Sequence, residues 1–157
     1  MSSVFHYAPW AYLPAMVQAG QLVPSNSGAS NEKPMLWFSA NQQWEPTAGK
    51  ASGQIAMMTF KQQLAVGGCI RFGLPATDSR LMSWKAACTV AGTGRDERRA
   101  MERAGKKRGA DPSQWFAIAE SVPLDQLLLE VFVDNAWHPA DPGEMAQIWT
   151  ERRSTAT

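Results

Sequence analysis

Apolar positions recur along this chain in two periods, and the switches between them mark out its elements. Val4 to Ala8 is short, rich in β-formers and followed by a proline, which predicts a strand. Leu13, Met16 and Val17 then share one face at helical spacing, predicting a helix over Pro9 to Ala19 that stops at Gly20. Pro14 falls in its first turn, where a missing N–H does little harm. Residues 24–34 are polar and read as a loop, and Met35 to Ser39 reads as a second strand. Asn41 to Ser52 is irregular, with room for one helical turn. Gln54 to Phe60 alternates in part and is read as a strand. Leu64 to Phe72 is read as another, with Gly67-Gly68 as a bulge or turn.

A short helix is expected over Ser79 to Ala87. Gly92-Thr93-Gly94 breaks the chain, and Arg95 to Arg108 reads as an exposed helix. Gln114 to Ala119 and Leu127 to Val133 complete the strands, the latter with Leu127, Leu129, Val131 and Val133 on one face. Nothing repeats at a fixed period. The order is β, then α, then mostly β, which predicts an α+β domain with a mixed or antiparallel sheet.

The length of 157 residues fits one domain, expected over 1–150 with a flexible tail at 151–157. Lys and Arg number 15 against 14 Asp and Glu, and a net charge of +1 argues against a protein that coats nucleic acid everywhere. Seven tryptophans imply either a ringed core or an aromatic pocket. Cys69 and Cys88 make no disulfide framework, and with His6 and His138 as the only histidines no metal site is expected. The N-terminus does not read as a signal peptide, and no apolar run approaches the ~18 residues of a membrane helix, so a cytoplasmic location is expected.

Four constellations carry possible chemistry. In Phe5-His6-Tyr7 the His6 and Tyr7 rings must lie on opposite faces, one toward the core and the other toward either core or cleft. Trp37 and Ser39 share a face at the end of the second strand, and Trp44-Glu45 sets a carboxylate beside an indole. Arg71 sits in the apolar run Cys69-Ile70-Arg71-Phe72-Gly73, where its charge needs either a structural carboxylate or an anionic ligand. The 95–108 segment holds seven basic and three acidic residues, net +4, leaving −3 for the rest of the chain. That asymmetry marks either a solvated helix or a face for an acidic partner, through Arg103, Lys106, Lys107 and Arg108. The late carboxylates Glu120 and Glu130 either reach a cleft or face water. There is no P-loop, GxGxxG or GxSxG.

The run FHYAPWAYLPAMVQAGQLVPS followed by MLWFS resembles the start of NAD-dependent ADP-ribosyltransferases, in particular the small bacterial branch with DNA-modifying toxins and RNA 2′-phosphotransferases. The likeness is carried by residues 4–39, with fainter echoes at Ile70 to Gly73 and in SVPLDQLLLEVFV. It implies an ADP-ribosyltransferase-like β core with flanking helices and NAD as substrate. It assigns NAD contacts to His6, Tyr7, Trp37, Ser39 and Arg71. The family's catalytic glutamate belongs near Trp115, so its role would pass to Glu45 or Glu120. The acceptor implied is an acidic protein or a nucleic acid. The alternatives are a non-catalytic interaction or inhibitor protein on the same fold, as in phage–host contacts, and an RNA-end processing enzyme.

Overall fold

The computed structural model describes residues 2–25 and 31–155. Residues 26–30 of the expected polar loop and 156–157 of the expected tail lie outside them. The first strand, β1 (Ser3–Pro9), sends Val4 and Ala8 into one core cluster and Phe5 and Tyr7 into another on the opposite face. A 3-10 turn at Trp10–Tyr12 leads into α1 (Leu13–Ala19), with Pro14 in its first turn. Gly20 closes the helix at a φ of 71°, its N–H reaching the Met16 and Val17 carbonyls; this left-handed conformation favours glycine.

The chain continues through β2 (Gln21–Leu22), β3 (Leu36–Ser39), α2 (Phe60–Val66), β4 (Cys69–Pro75), β5 (Met82–Ser83), α3 (Trp84–Ala91) and α4 (Arg95–Lys107). It ends with β6 (Trp115–Ile118), β7 (Val122–Pro123), β8 (Leu128–Val133), β9 (Ala136–Pro139) and α5 (Pro142–Thr155). Seven strands form one sheet in the order β5-β6-β3-β1-β4-β8-β9, and β2 pairs with β7 in a two-stranded ribbon. All of these pairings are antiparallel. The protein is α+β. No helix among the described residues is long and apolar enough to cross a membrane.

The main core lies under one face, where Leu13, Met16 and Val17 of α1 and Met145, Ile148 and Trp149 of α5 cover Val4, Ile70, Phe72 and Leu129. Trp10 locks the two helices, its ring 5.7 Å from that of Trp149 and its indole N–H donating to the Met145 carbonyl at 3.1 Å. Phe60 and Leu64 of α2 cover the other face over Phe5, Tyr7 and Cys69. Nearby, Ala87 and Ala91 of α3 pack on Ala117.

Several local expectations differ from these elements. Residues 54–60 form no strand: Ile55 makes an isolated bridge to Ser52, and Phe60 opens α2. The strand expected over 64–72 begins at Cys69, because α2 occupies 60–66. Thr59 and Gln62 form a reciprocal capping box, and that satisfies the first turn of a helix. The helix expected over 79–87 is displaced to 84–91, with Ser83 as its N-cap. Residues 136–139 form β9 after an Asp134-Asn135 turn with both φ angles positive. α5 continues to Thr155, into the stretch expected as a flexible tail.

Arg71 has a carboxylate partner inside the sheet. Its Nε donates to Glu130 at 2.6 Å and its Nη1 to the Gln42 carbonyl at 2.6 Å, and the guanidinium lies 3.8 Å from the Phe5 ring centre and 4.4 Å from that of Trp137. Register explains the pair, since Arg71 and Glu130 are directly opposed on β4 and β8. Removing one partner leaves a buried charge unmatched. Arg71→Ala is therefore expected to destabilise the fold by about 3 kcal/mol in chemical denaturation, and Arg71→Met with Glu130→Leu to recover most of the loss. A loss in Arg71→Ala no greater than at an exposed surface site would show that the pair does not anchor the sheet.

Candidate functional site

The sheet is not evenly closed. β1 and β3 share a single register pair, Phe5 with Ser39, whereas β1 pairs with β4 along its whole length. Beyond Phe5 the two strands part. The Trp37 carbonyl lies where the strands have separated, and the His6 side chain reaches it, with Nδ1 2.8 Å away. A carbonyl only accepts, so Nδ1 carries the proton. Burial, with the Lys50 charge as a lesser cause, holds the His6 pKa below its usual value. The ring is therefore neutral near pH 7, and its Nε2 is the acceptor nitrogen, suited to a ligand hydroxyl.

The parting of the strands opens a cleft of about 500 Å³. Its sheet wall carries His6, Tyr7, Trp37 and Phe38, and its far wall carries Trp84, Trp115 and the Met101, Ala104 and Gly105 positions of α4. Lys50, Met57 and Arg108 stand along it as well. Three indoles thus share the lining. Trp84 lies 5.4 Å from Trp37 and 4.9 Å from Trp115, centre to centre. Gly105 is buried, and a Cβ there would come within 2.6 Å of the Trp115 ring. Glu102 accepts the Trp84 N–H at 2.8 Å, which ties α4 to α3.

The cleft brings together His6, Tyr7 and Trp37 of the expected NAD-contacting residues, and Arg108 of the expected partner-binding ones. Ser39 lies behind the wall, donating to Glu45 at 2.8 Å. Glu45 is buried, and its two oxygens accept from Ser39 Oγ, Trp115 Nε1, Thr47 N and Thr47 Oγ1. Trp115 and Thr47 line the cleft, so this carboxylate fixes its wall from behind. Arg71 is outside the lining and engaged with Glu130. Glu120 is exposed in the turn after β6, likewise outside the lining. Arg103, Lys106 and Lys107 are exposed on α4. Tyr7 donates its hydroxyl to the Asn41 carbonyl and receives Arg71 Nη1 at 3.3 Å. Burial raises its pKa to about 12, so it stays protonated.

Sequence reasoning missed Lys50, Trp84 and Met101. Lys50 and Trp84 fall in segments with no chemical signature, and Met101 is one apolar residue on an otherwise charged helix. Lys50 is exposed as a residue, yet the protein around its ammonium excludes enough water to lower its pKa. A second cavity, about 630 Å³, is lined by Leu124, Leu128, Asp125 and Asp141 among others, and its carboxylates disfavour an anion. Comparisons with family models, with curated proteins and with solved structures find no match to this chain.

The unfolded chain binds a proton at His6 below about pH 6.5, where the folded chain resists it. The stability this contributes is whole above that pH and is lost as pH falls from there toward the lower folded-state pKa. Unfolding free energy is expected to drop on acidification by at most about 1.4 kcal/mol per pH unit from this residue, and His6→Gln to flatten that slope. An unchanged slope in the variant would show that His6 titrates freely.

Proposed function

We propose that the cleft between β1 and β3 binds NAD and that the chain is an ADP-ribosyltransferase of the kind its residues 4–39 resemble. The observation that carries this reading is the cleft itself, an indole-lined space with neutral His6 at the parting of the strands. Its volume lies within the range of about 300–1,000 Å³ typical of small-molecule sites. Indole faces suit a nicotinamide or adenine ring. His6 Nε2 suits a ribose hydroxyl as hydrogen-bond acceptor.

Breaking the nicotinamide–ribose bond develops positive charge on the ribose, which a carboxylate stabilises. In this reading Glu45 supplies that charge from behind Trp115 and Thr47. The exposed Arg103, Lys106 and Lys107 sit on the helix that forms the far wall, which suits an acidic protein or nucleic acid as acceptor. One observation favours the non-catalytic alternative: both Glu45 oxygens are already taken by wall donors, and no Asp or Glu lines the cleft among the described residues. That arrangement suits a fold that binds the nucleotide without turning it over.

Calorimetric titration with NAD, paired with a nicotinamide-release assay, tests both. Binding with release, in which Glu45→Gln loses release but keeps NAD binding, is the outcome expected of the transferase. Binding without release supports the non-catalytic protein, and no binding at millimolar NAD overturns the nucleotide reading. Trp37→Ala is expected to weaken NAD about tenfold through lost stacking.

A further inference from the structure

Arg71 is the cation expected to meet phosphate, and it is consumed by Glu130 and Gln42 on the sheet. The cleft nevertheless has two cations of its own, from segments far apart in sequence. Lys50 follows the 3-10 turn at Pro46–Ala48, and Arg108 caps the C-terminal end of α4. Both line the cleft, and among the described residues neither forms an ion pair with a carboxylate. Arg108 Nη1 reaches the Met57 carbonyl at 3.4 Å, a long bond that leaves most of the guanidinium's donors available. Lys50 Nζ stands 5.9 Å from the centre of the exposed Tyr12 ring, a contact that leaves its charge unneutralised. Two cations without a carboxylate, beside three indoles, form a bipartite surface: planar rings on one part, positive charge on the other.

We infer that Lys50 and Arg108 together hold the phosphate groups of a nucleotide whose base lies among the indoles of the cleft. This rests on the nucleotide reading of the same site, but not on nicotinamide. Lys50 acts as a point charge, while the Arg108 fork takes two oxygens of one phosphate. The guanidinium's link to Met57 also couples anion binding to the 50–58 segment. Its start is fixed by the Met58 N–H donating to the Lys50 carbonyl at 2.9 Å and by the Ser52–Ile55 bridge.

The test uses ADP, which has phosphates and a base but no nicotinamide, followed by calorimetry on the full chain alongside NAD. Lys50→Gln and Arg108→Gln are each expected to weaken ADP about tenfold, as loss of one charge-assisted contact does. The double variant should lose more, and Lys61→Gln on exposed α2 should change nothing. All three side chains in the test are exposed, so melting temperatures should stay close to the parent's. Equal weakening by Lys61→Gln, or full ADP affinity in both cleft variants, would overturn the assignment. ADP binding that depends on both cations without NAD binding would keep the phosphate site and reject NAD. NAD binding unaffected by either variant would keep the proposed function and reject the phosphate site. Binding of neither ligand would end both.

Discussion

A backbone carbonyl in the middle of a sheet must keep a donor, and the fold turns on how the Trp37 carbonyl gets one where β1 leaves β3. A side chain has to cross the gap. It must be long enough to reach, flat enough to fit between strands and able to donate while uncharged. Histidine meets all three demands, and in meeting them becomes fixed in one tautomer. The same imidazole therefore closes the backbone account of the sheet and presents a lone pair beside the space left by its opening.

Two buried charges frame that opening, one on each side of it. Arg71 draws β4, β8 and the Gln42 segment together, with the Phe5 and Trp137 rings packed against its guanidinium. Glu45 joins the end of β3 to the start of β6 and to the 3-10 turn after it. Glu45 accepts four hydrogen bonds and Arg71 is paired with a carboxylate, the conditions under which a charge survives burial. Aromatic packing fills what remains. Tyr7, Trp44, Phe60, Phe132 and Trp137 form one chain of tilted rings across the far face.

Much of this was legible in the amino-acid order, and the exceptions have physical causes. β1, β3, β6 and β8 are strands whose alternation or β-rich composition is plain, and the α+β class follows from them. The opposite faces of His6 and Tyr7 follow from pleating alone. α2 escaped because 54–60 alternates weakly, although Thr59-x-x-Gln62 is a helix-start signature. α5 escaped because its apolar residues make no clean stripe, although Asp141-Pro142 opens it with a capping side chain and a proline in the first turn. Arg71 was recognisable as a charge in need of a partner, but sequence spacing cannot choose between a carboxylate 59 residues away and a ligand. Lys50 and Trp84 were invisible as site residues because their meeting depends on how three segments fold over the parted strands.

The glycine at 105 gives the cleft a further property. α4 approaches the sheet until its backbone rests on the Trp115 indole, and no side chain intervenes. How closely the far wall closes up is thus set by the contact of one ring with a lining position that has no side chain. An alanine here would keep every lining side chain and still shift the helix outward, carrying Met101 and Arg108 with it. The size of ligand admitted is in this sense a dimension of the backbone, adjustable at one position without any change to the chemistry displayed.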